Sequence, residues 1–149
     1  MPEYTEQLYK QIKFYHSNKE NKGSAISVRV AKRDSNGEIM GLTIEVAKQV
    51  DRKTFDWKNK IIVMLNLLEL SNFVDFVYYS DKEKYEVYHR NRTGSVKTIT
   101  FNRKPYGVSC YFTSTDESGE KNMVNCVLFK NELLILRECF SILVAKTLI

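Results

Sequence analysis

The chain has 149 residues and a mass of 17.4 kDa, which suits one domain of ordinary size that buries about two-thirds of its unfolded surface. Hydrophobic residues make up 43% and charged residues 28%, a balance that excludes a disordered tail and a membrane-spanning chain. Lys plus Arg number 23 against 18 Asp plus Glu, a net charge of +5 with a pI near 9.0, which fits an anionic partner such as nucleic acid, an acidic protein or a membrane surface.

The opening segment, Glu3 to His16, reads two ways: Gln11 to His16 alternates like a strand, and a helix up to Lys13 also fits. Ser17 to Gly23 is a polar loop. From Ala25 to Lys32, Ile26, Val28 and Val30 point one way and Ser27, Arg29 and Ala31 the other, the period of a half-buried strand. Asp34-Ser35-Asn36-Gly37 is a turn, because Asn-Gly supplies the positive-φ residues of tight hairpins. Leu42, Ile44 and Val46 alternate in the returning strand, Gln49 to Thr54 is a polar bend, and Lys60 to Leu65 is a short fourth strand. At Asn66 the period changes. Asn66 is a good N-cap, Glu69 can close a capping box, and Leu67, Leu70, Phe73, Val74 and Val77 follow helical spacing to about Tyr79.

The second half repeats this order. Strands are expected at Tyr85–His89, Val96–Asn102, Val108–Thr113 and Met123–Phe129, with turns at Lys104–Gly107 and Asp116–Lys121. A helix then runs from Glu132 to Thr147, started by Lys130 or Asn131, with Leu133, Leu136, Phe140, Leu143 and Val144 as its apolar stripe. The fold class is therefore α+β in a single domain over 1–149: two four-stranded antiparallel sheets, each followed by a helix. Leu134, Ile135, Ile142 and Leu148 lie outside the last helix's main stripe, which marks an interface between chains or a helix buried in its own domain.

Cys110, Cys126 and Cys139 are odd in number and widely spaced, which argues against a disulfide framework or a zinc site and for a reducing, intracellular compartment. This leaves the cytoplasm, a nucleoid or an organelle. The acidic N-terminus, Met1 to Glu6, lacks the apolar run of a secretory signal, and no apolar cluster is long enough to span a bilayer. Asn91-Arg92-Thr93 matches the glycosylation sequon, a chance match in such a compartment. His16 and His89 are the only histidines and lack metal or triad spacing, and no glycine-rich phosphate loop is present. The expectation is a protein without catalytic residues, metal or cofactor.

The positive excess has a location. Val87 to Thr115 contains Arg90, Arg92, Lys97, Arg103 and Lys104 and no acid, interleaved with Tyr88, Phe101, Tyr106, Tyr111 and Phe112. A basic track with interspersed rings is what non-specific binding of a single strand needs. Lys97, Ile99, Phe101 and Arg103 share a strand face, with Tyr111 in the hairpin partner as a second stacking candidate. Alternatively, Ile99 and Phe101 face the core while Lys97 and Arg103 snorkel at its edges. In the first half, Lys13 and Tyr15 share one strand face, Ser27 and Arg29 share another, and Lys60 opens the fourth strand.

Phe55-Asp56-Trp57-Lys58-Asn59-Lys60, followed by a strand, the Asn66 cap and Glu69, resembles the aromatic-Asp-Trp junction of the Whirly family of single-stranded nucleic-acid-binding proteins. The family is related to the kinetoplastid mitochondrial RNA-binding proteins. Val87-Tyr88-His89 resembles the family's aromatic-His segment after the first helix, and the hairpin at Asp34–Gly37 falls at the corresponding place. The Lys-Gly-Lys-Ala-Ala-Leu segment of plant members is absent; its nearest string, Lys22-Gly23-Ser24-Ala25-Ile26, precedes the second strand.

The resemblance, which covers about Ile12 to Leu148, implies a homotetramer that binds single-stranded DNA with little sequence preference and serves replication, recombination or repair. Asp56, Trp57, Asn66 and Glu69 would form its structural junction. Two other readings stay open: binding or annealing of single-stranded RNA, and a protein-interaction or transcription-regulatory module. The expected nucleic-acid contacts are Lys13, Tyr15, Arg29, Lys60, Tyr88, Arg92, Lys97, Phe101, Arg103 and Tyr111, with no membrane partner.

Overall fold

The structure, a computed structural model, describes residues 11–33 and 35–148. The expectations for Glu3 to Lys10, for Asp34 and for the side chains of Ile142, Val144 and Leu148 lie outside the described residues. Gln11 to His16 resolves as a strand: β1 (Ile12–His16) pairs antiparallel with β2 (Ser24–Lys32), and β2 with β3 (Ile39–Asp51). β3 is long enough to pair with two further strands, β5 (Ile61–Asn66) along its middle and the two-residue β4 (Thr54–Phe55) at its end.

This corrects the polar bend expected from Gln49 to Thr54. Gln49 is 5% exposed, and its amide is the fastener of the β1–β2 loop. Its Oε1 accepts from the Asn18 and Gly23 amides at 2.9 Å, and its Nε2 donates to the Asn18 carbonyl at 3.1 Å. A polar residue reads as loop in sequence, but here it stays in the sheet because every polar atom finds a partner.

The second sheet is a meander, β6 (Lys84–Arg90), β7 (Val96–Lys104), β8 (Gly107–Thr115) and β9 (Lys121–Phe129), each strand antiparallel to the next. The two sheets share one core. Ile26, Val28, Ile44, Val46, Ile61 and Val63 face it from the first, and Val87, Ile99, Phe101, Cys110, Phe112 and Val124 from the second. Their strands cross. His89, Lys97 and Asn122 occupy equivalent positions on β6, β7 and β9 and reach Glu69, Ile62 and Asn59, which succeed one another along a single stretch of chain.

Each sheet feeds directly into a helix: α1 (Leu67–Tyr78) after β5 and α2 (Lys130–Leu148) after β9. Leu70, Phe73 and Phe76 of α1, and Leu133, Leu136, Phe140 and Leu143 of α2, are buried. Phe73 packs its ring 4.7 Å from Phe101 and 6.1 Å from Phe140.

The two helix starts are built alike. In α1 the capping box expected from sequence is present: Asn66 Oδ1 accepts from the Glu69 amide at 2.8 Å, and Glu69 Oε1 accepts from the Asn66 amide at 3.0 Å. In α2, Glu132 Oε1 accepts from the Phe129 amide at 2.9 Å. The remaining carboxylate oxygen of each glutamate takes a histidine from the opposite sheet. His89 of β6 meets Glu69 at 2.8 Å, and His16 of β1 meets Glu132 at 2.7 Å. Both histidines of the chain are thus committed to helix starts.

A glycine stands opposite each cap: Gly41 pairs with Asn66 and Gly107 with Phe129, at φ +155° and +150°.

Candidate nucleic-acid interface

Strand alternation places β1, β2, β3 and β5 side chains in rows across the face of the first sheet that points away from the shared core, where the central Ala25, Ser27, Thr43, Glu45 and Ala47 are buried and the flanking side chains reach solvent. One row is Lys13, Ser27, Glu45, Ile62; flanking rows hold Arg29, Thr43 and Met64, and Tyr15, Ala25 and Ala47. Four expected contacts, Lys13, Tyr15, Arg29 and Lys60, therefore belong to one surface. Glu45 lies in the middle of it, with only 6% of its side chain exposed. Lys60 Nζ is 3.2 Å and Arg29 Nη2 is 3.6 Å from Glu45 Oε1. Beside Glu45, the buried Ser27 hydroxyl has no hydrogen-bond partner among the described residues.

The Asp56-Trp57 junction delivers the rings. Asp56 Oδ1 accepts from the Asn59 amide at 3.3 Å and caps a single 3₁₀ turn, Trp57–Asn59, between β4 and β5. This sets the Trp57 ring 5.1 Å beneath Lys13 Nζ, a cation–π distance. Phe55 lies 5.5 Å from the Tyr15 ring. Tyr15, Ser17, Lys53, Thr54, Phe55 and Trp57 line an open groove of about 600 Å³. Tyr15 is 55% exposed, so its ring is available to a flat partner. Phe55 and Met64 are additions to the expected set. Phe55 was visible in sequence only as a flank of the Asp-Trp pair.

The second sheet distributes its candidates differently. Tyr88, Thr98, Thr113 and Met123 form one outward row, and Glu86, Thr100, Tyr111 and Asn125 the next. Tyr88 is 61% exposed, and Tyr111 OH donates to Met123 Sδ. Arg92 is in the β6–β7 turn, exposed. Lys97, Phe101 and Arg103 are corrected. They lie on the inward-facing alternation of β7, so the core-facing alternative holds for that strand.

Phe101 is 1% exposed and packs against Phe73 and Tyr85, so no base can stack on it. Lys97 Nζ donates to the Ile62 carbonyl at 2.6 Å and ties the second sheet to β5. Arg103 is a clamp on the end of α1. Its guanidinium donates to the carbonyls of Phe76, Val77, Ser80 and Lys82 and lies 4.7 Å from the Phe76 ring centroid. A cation among the unpaired carbonyls of a helix C-terminus satisfies both hydrogen bonds and dipole. Arg103→Ala is therefore expected to cost about 3 kcal/mol of stability, measured by urea unfolding, while folded protein keeps its oligonucleotide affinity.

Two of the thiols lie in the shared core: burial pushes Cys110 well above its ordinary pKa, and Cys126 faces it across the β8–β9 pair. Among the described residues, no three His, Cys, Asp or Glu side chains are grouped to hold a metal, and no helix is long and apolar enough to cross a membrane.

No protein-family model matches the sequence, and comparison with curated proteins finds no relative. Comparison with solved structures is decisive. The plant transcriptional regulator PBF-2 superposes with a TM-score of 0.70 at 16% identity, over 89% of this chain and 79% of that one. WHY3 from Arabidopsis thaliana gives 0.70 at 16%, over 90% and 85%. Trypanosome MRP1/MRP2 gives 0.65 at 22%, over 96% and 88%. This chain has a Whirly-like fold. Within that fold, the Asp56-Trp57 turn and the Asn66–Glu69 capping box are local structures with clear physical roles.

Proposed function

We propose that this protein binds single-stranded nucleic acid, DNA in the first instance, with little sequence preference. The observation that carries the reading is the convergence of Lys13, Arg29 and Lys60 with Tyr15, Phe55 and Trp57 on one sheet face. Cations on one face suit a phosphate backbone, and the exposed Tyr15 ring, with Phe55 and Trp57 half-buried beside it, suits bases that are not paired, because every base has a π-face. The outer rows of the second sheet, with Tyr88 and Tyr111 and with Arg92 at their end, extend the surface.

Binding would protect or organise single strands during replication, recombination or repair, without catalysis. The apolar residues left exposed, Leu68 and Tyr79 at the two ends of α1 and Leu134 and Ile135 on α2, support assembly into a homotetramer through the helices.

The test is a fluorescence-anisotropy titration with a labelled oligothymidylate and a matched duplex, run over a salt series and coupled to a mass measurement of the complex. The expected result is preference for the single strand, an affinity that falls as salt rises, and four chains per complex. Equal affinity for the duplex, or none for either at low salt, refutes the reading. A matched RNA oligonucleotide as competitor decides between DNA and RNA.

A further inference from the structure

Glu45 occupies a strand position facing away from the shared core, and like its cross-strand neighbour Ser27 it is buried, its side chain 6% exposed. Burying a carboxylate is costly unless cations face it, and a Thr or Val at this position would avoid that cost. The cations that face it, Arg29 and Lys60, are the same ones assigned above to the phosphate backbone. Their nitrogens stand 3.6 and 3.2 Å from Oε1, longer than the about 2.7–2.9 Å of a tight charge-assisted hydrogen bond. Their side chains stay 48% and 34% exposed. The carboxylate is thus a floor and the cations are its rim, loosely held and open to solvent. A phosphate arriving from solvent needs the same N–H groups, and Glu45 cancels one of the two positive charges it would meet.

We propose that Glu45 is a resident counter-charge that limits how tightly this face holds a phosphate backbone, so that a bound strand is readily released. The inference rests on the nucleic-acid reading. When Arg29 and Lys60 turn outward to a phosphate, the Ser27 hydroxyl directly across the strand pair offers the carboxylate a replacement donor. Cross-strand neighbours of this kind have Cβ atoms about 4.5–5.5 Å apart, within reach of a glutamate.

The experiment compares the full chain and Glu45→Gln with a fluorescent oligothymidylate across a potassium chloride series, each variant first checked by thermal melting. The glutamine isostere is expected to bind about fivefold tighter at low salt, and the slope of log K against log salt to steepen by about 0.7, as one further phosphate on a single strand is neutralised. Binding that is equal or weaker in a variant that melts cooperatively overturns the proposal. Glu45→Thr, whose side chain suits a strand, repeats the test if the amide fails to fold. Wild-type binding with unchanged affinity in the variants defeats the counter-charge alone; absence of binding by wild type and variants defeats the nucleic-acid reading with it.

Discussion

Gly41→Ala and Gly107→Ala are each expected to destabilise the chain by more than about 4 kcal/mol, a large part of the about 5–15 kcal/mol that holds an ordinary domain folded. A methyl group at Gly41 would lie 2.0 Å from the Leu65 carbonyl oxygen, and one at Gly107 would lie 2.1 Å from that of Leu128. Neither obstacle is a flexible side chain. Both are backbone, on the residue just before a helix cap, so relief requires moving the strand that launches the helix. Both φ angles, +155° and +150°, also lie where side chains are strained. Urea unfolding followed by circular dichroism reads the effect. Gly94→Asn is the control for the clash: that turn glycine has φ +92°, also strained for a side chain, but nothing lies within 4 Å of an added Cβ, so its midpoint should fall by much less. Wild-type midpoints for both alanine variants would show that the paired strands can part without loss.

The largest expected functional effect comes from the first-sheet face. The triple variant Lys13→Gln, Tyr15→Leu, Lys60→Gln should bind oligothymidylate about 100-fold more weakly at low salt, and its salt slope should be shallower by about 1.4 than that of wild type. Two neutralised phosphates account for the slope, and the lost ring, whose stacking is worth about 1–3 kcal/mol per base, accounts for much of the rest. Leucine at residue 15 keeps apolar contact with Phe55, so packing is preserved. Arg29 is retained to balance the buried Glu45. An affinity within threefold of wild type would remove this face from the binding track. The companion variant Tyr88→Leu, Tyr111→Leu would then show whether the second sheet carries the strand instead.

Local features were readable in the sequence wherever their partners lie nearby in the chain. Asn66 and Glu69 are three residues apart and both belong to recognised cap positions, so the start of α1 was fully legible. Glu132 has the same job in α2, but the residue at its cap is Phe129, which no capping rule selects. The faces of β7 were harder. Lys97, Ile99, Phe101 and Arg103 mix cations with apolar residues, and Val96, Thr98 and Thr100 do not look like a surface. The side chains that settle the choice, Phe73, Tyr85 and Phe140, come from other elements.

The acid-free segment from Val87 to Thr115 concentrates positive charge in the second half, yet Lys97 and Arg103 spend theirs on backbone carbonyls. The basic-aromatic face instead assembles from Lys13, Arg29 and the Trp57–Lys60 stretch, three separate parts of the chain that meet through strand register and the 3₁₀ turn. The histidines were the least legible. Their partners are 20 residues away for His89 and 116 for His16.

Those crossed histidine–glutamate pairs have a consequence for how the chain can be divided. The sequence looks like two modules in tandem, but each module's helix is fastened to the other module's sheet. A fragment ending near Ser80 would carry Glu69 without His89 and His16 without Glu132; the remaining fragment would hold the two missing halves. Neither piece is a self-sufficient unit. Mixed together, they have the complementary parts of a split protein, able to regain the fold only by finding each other.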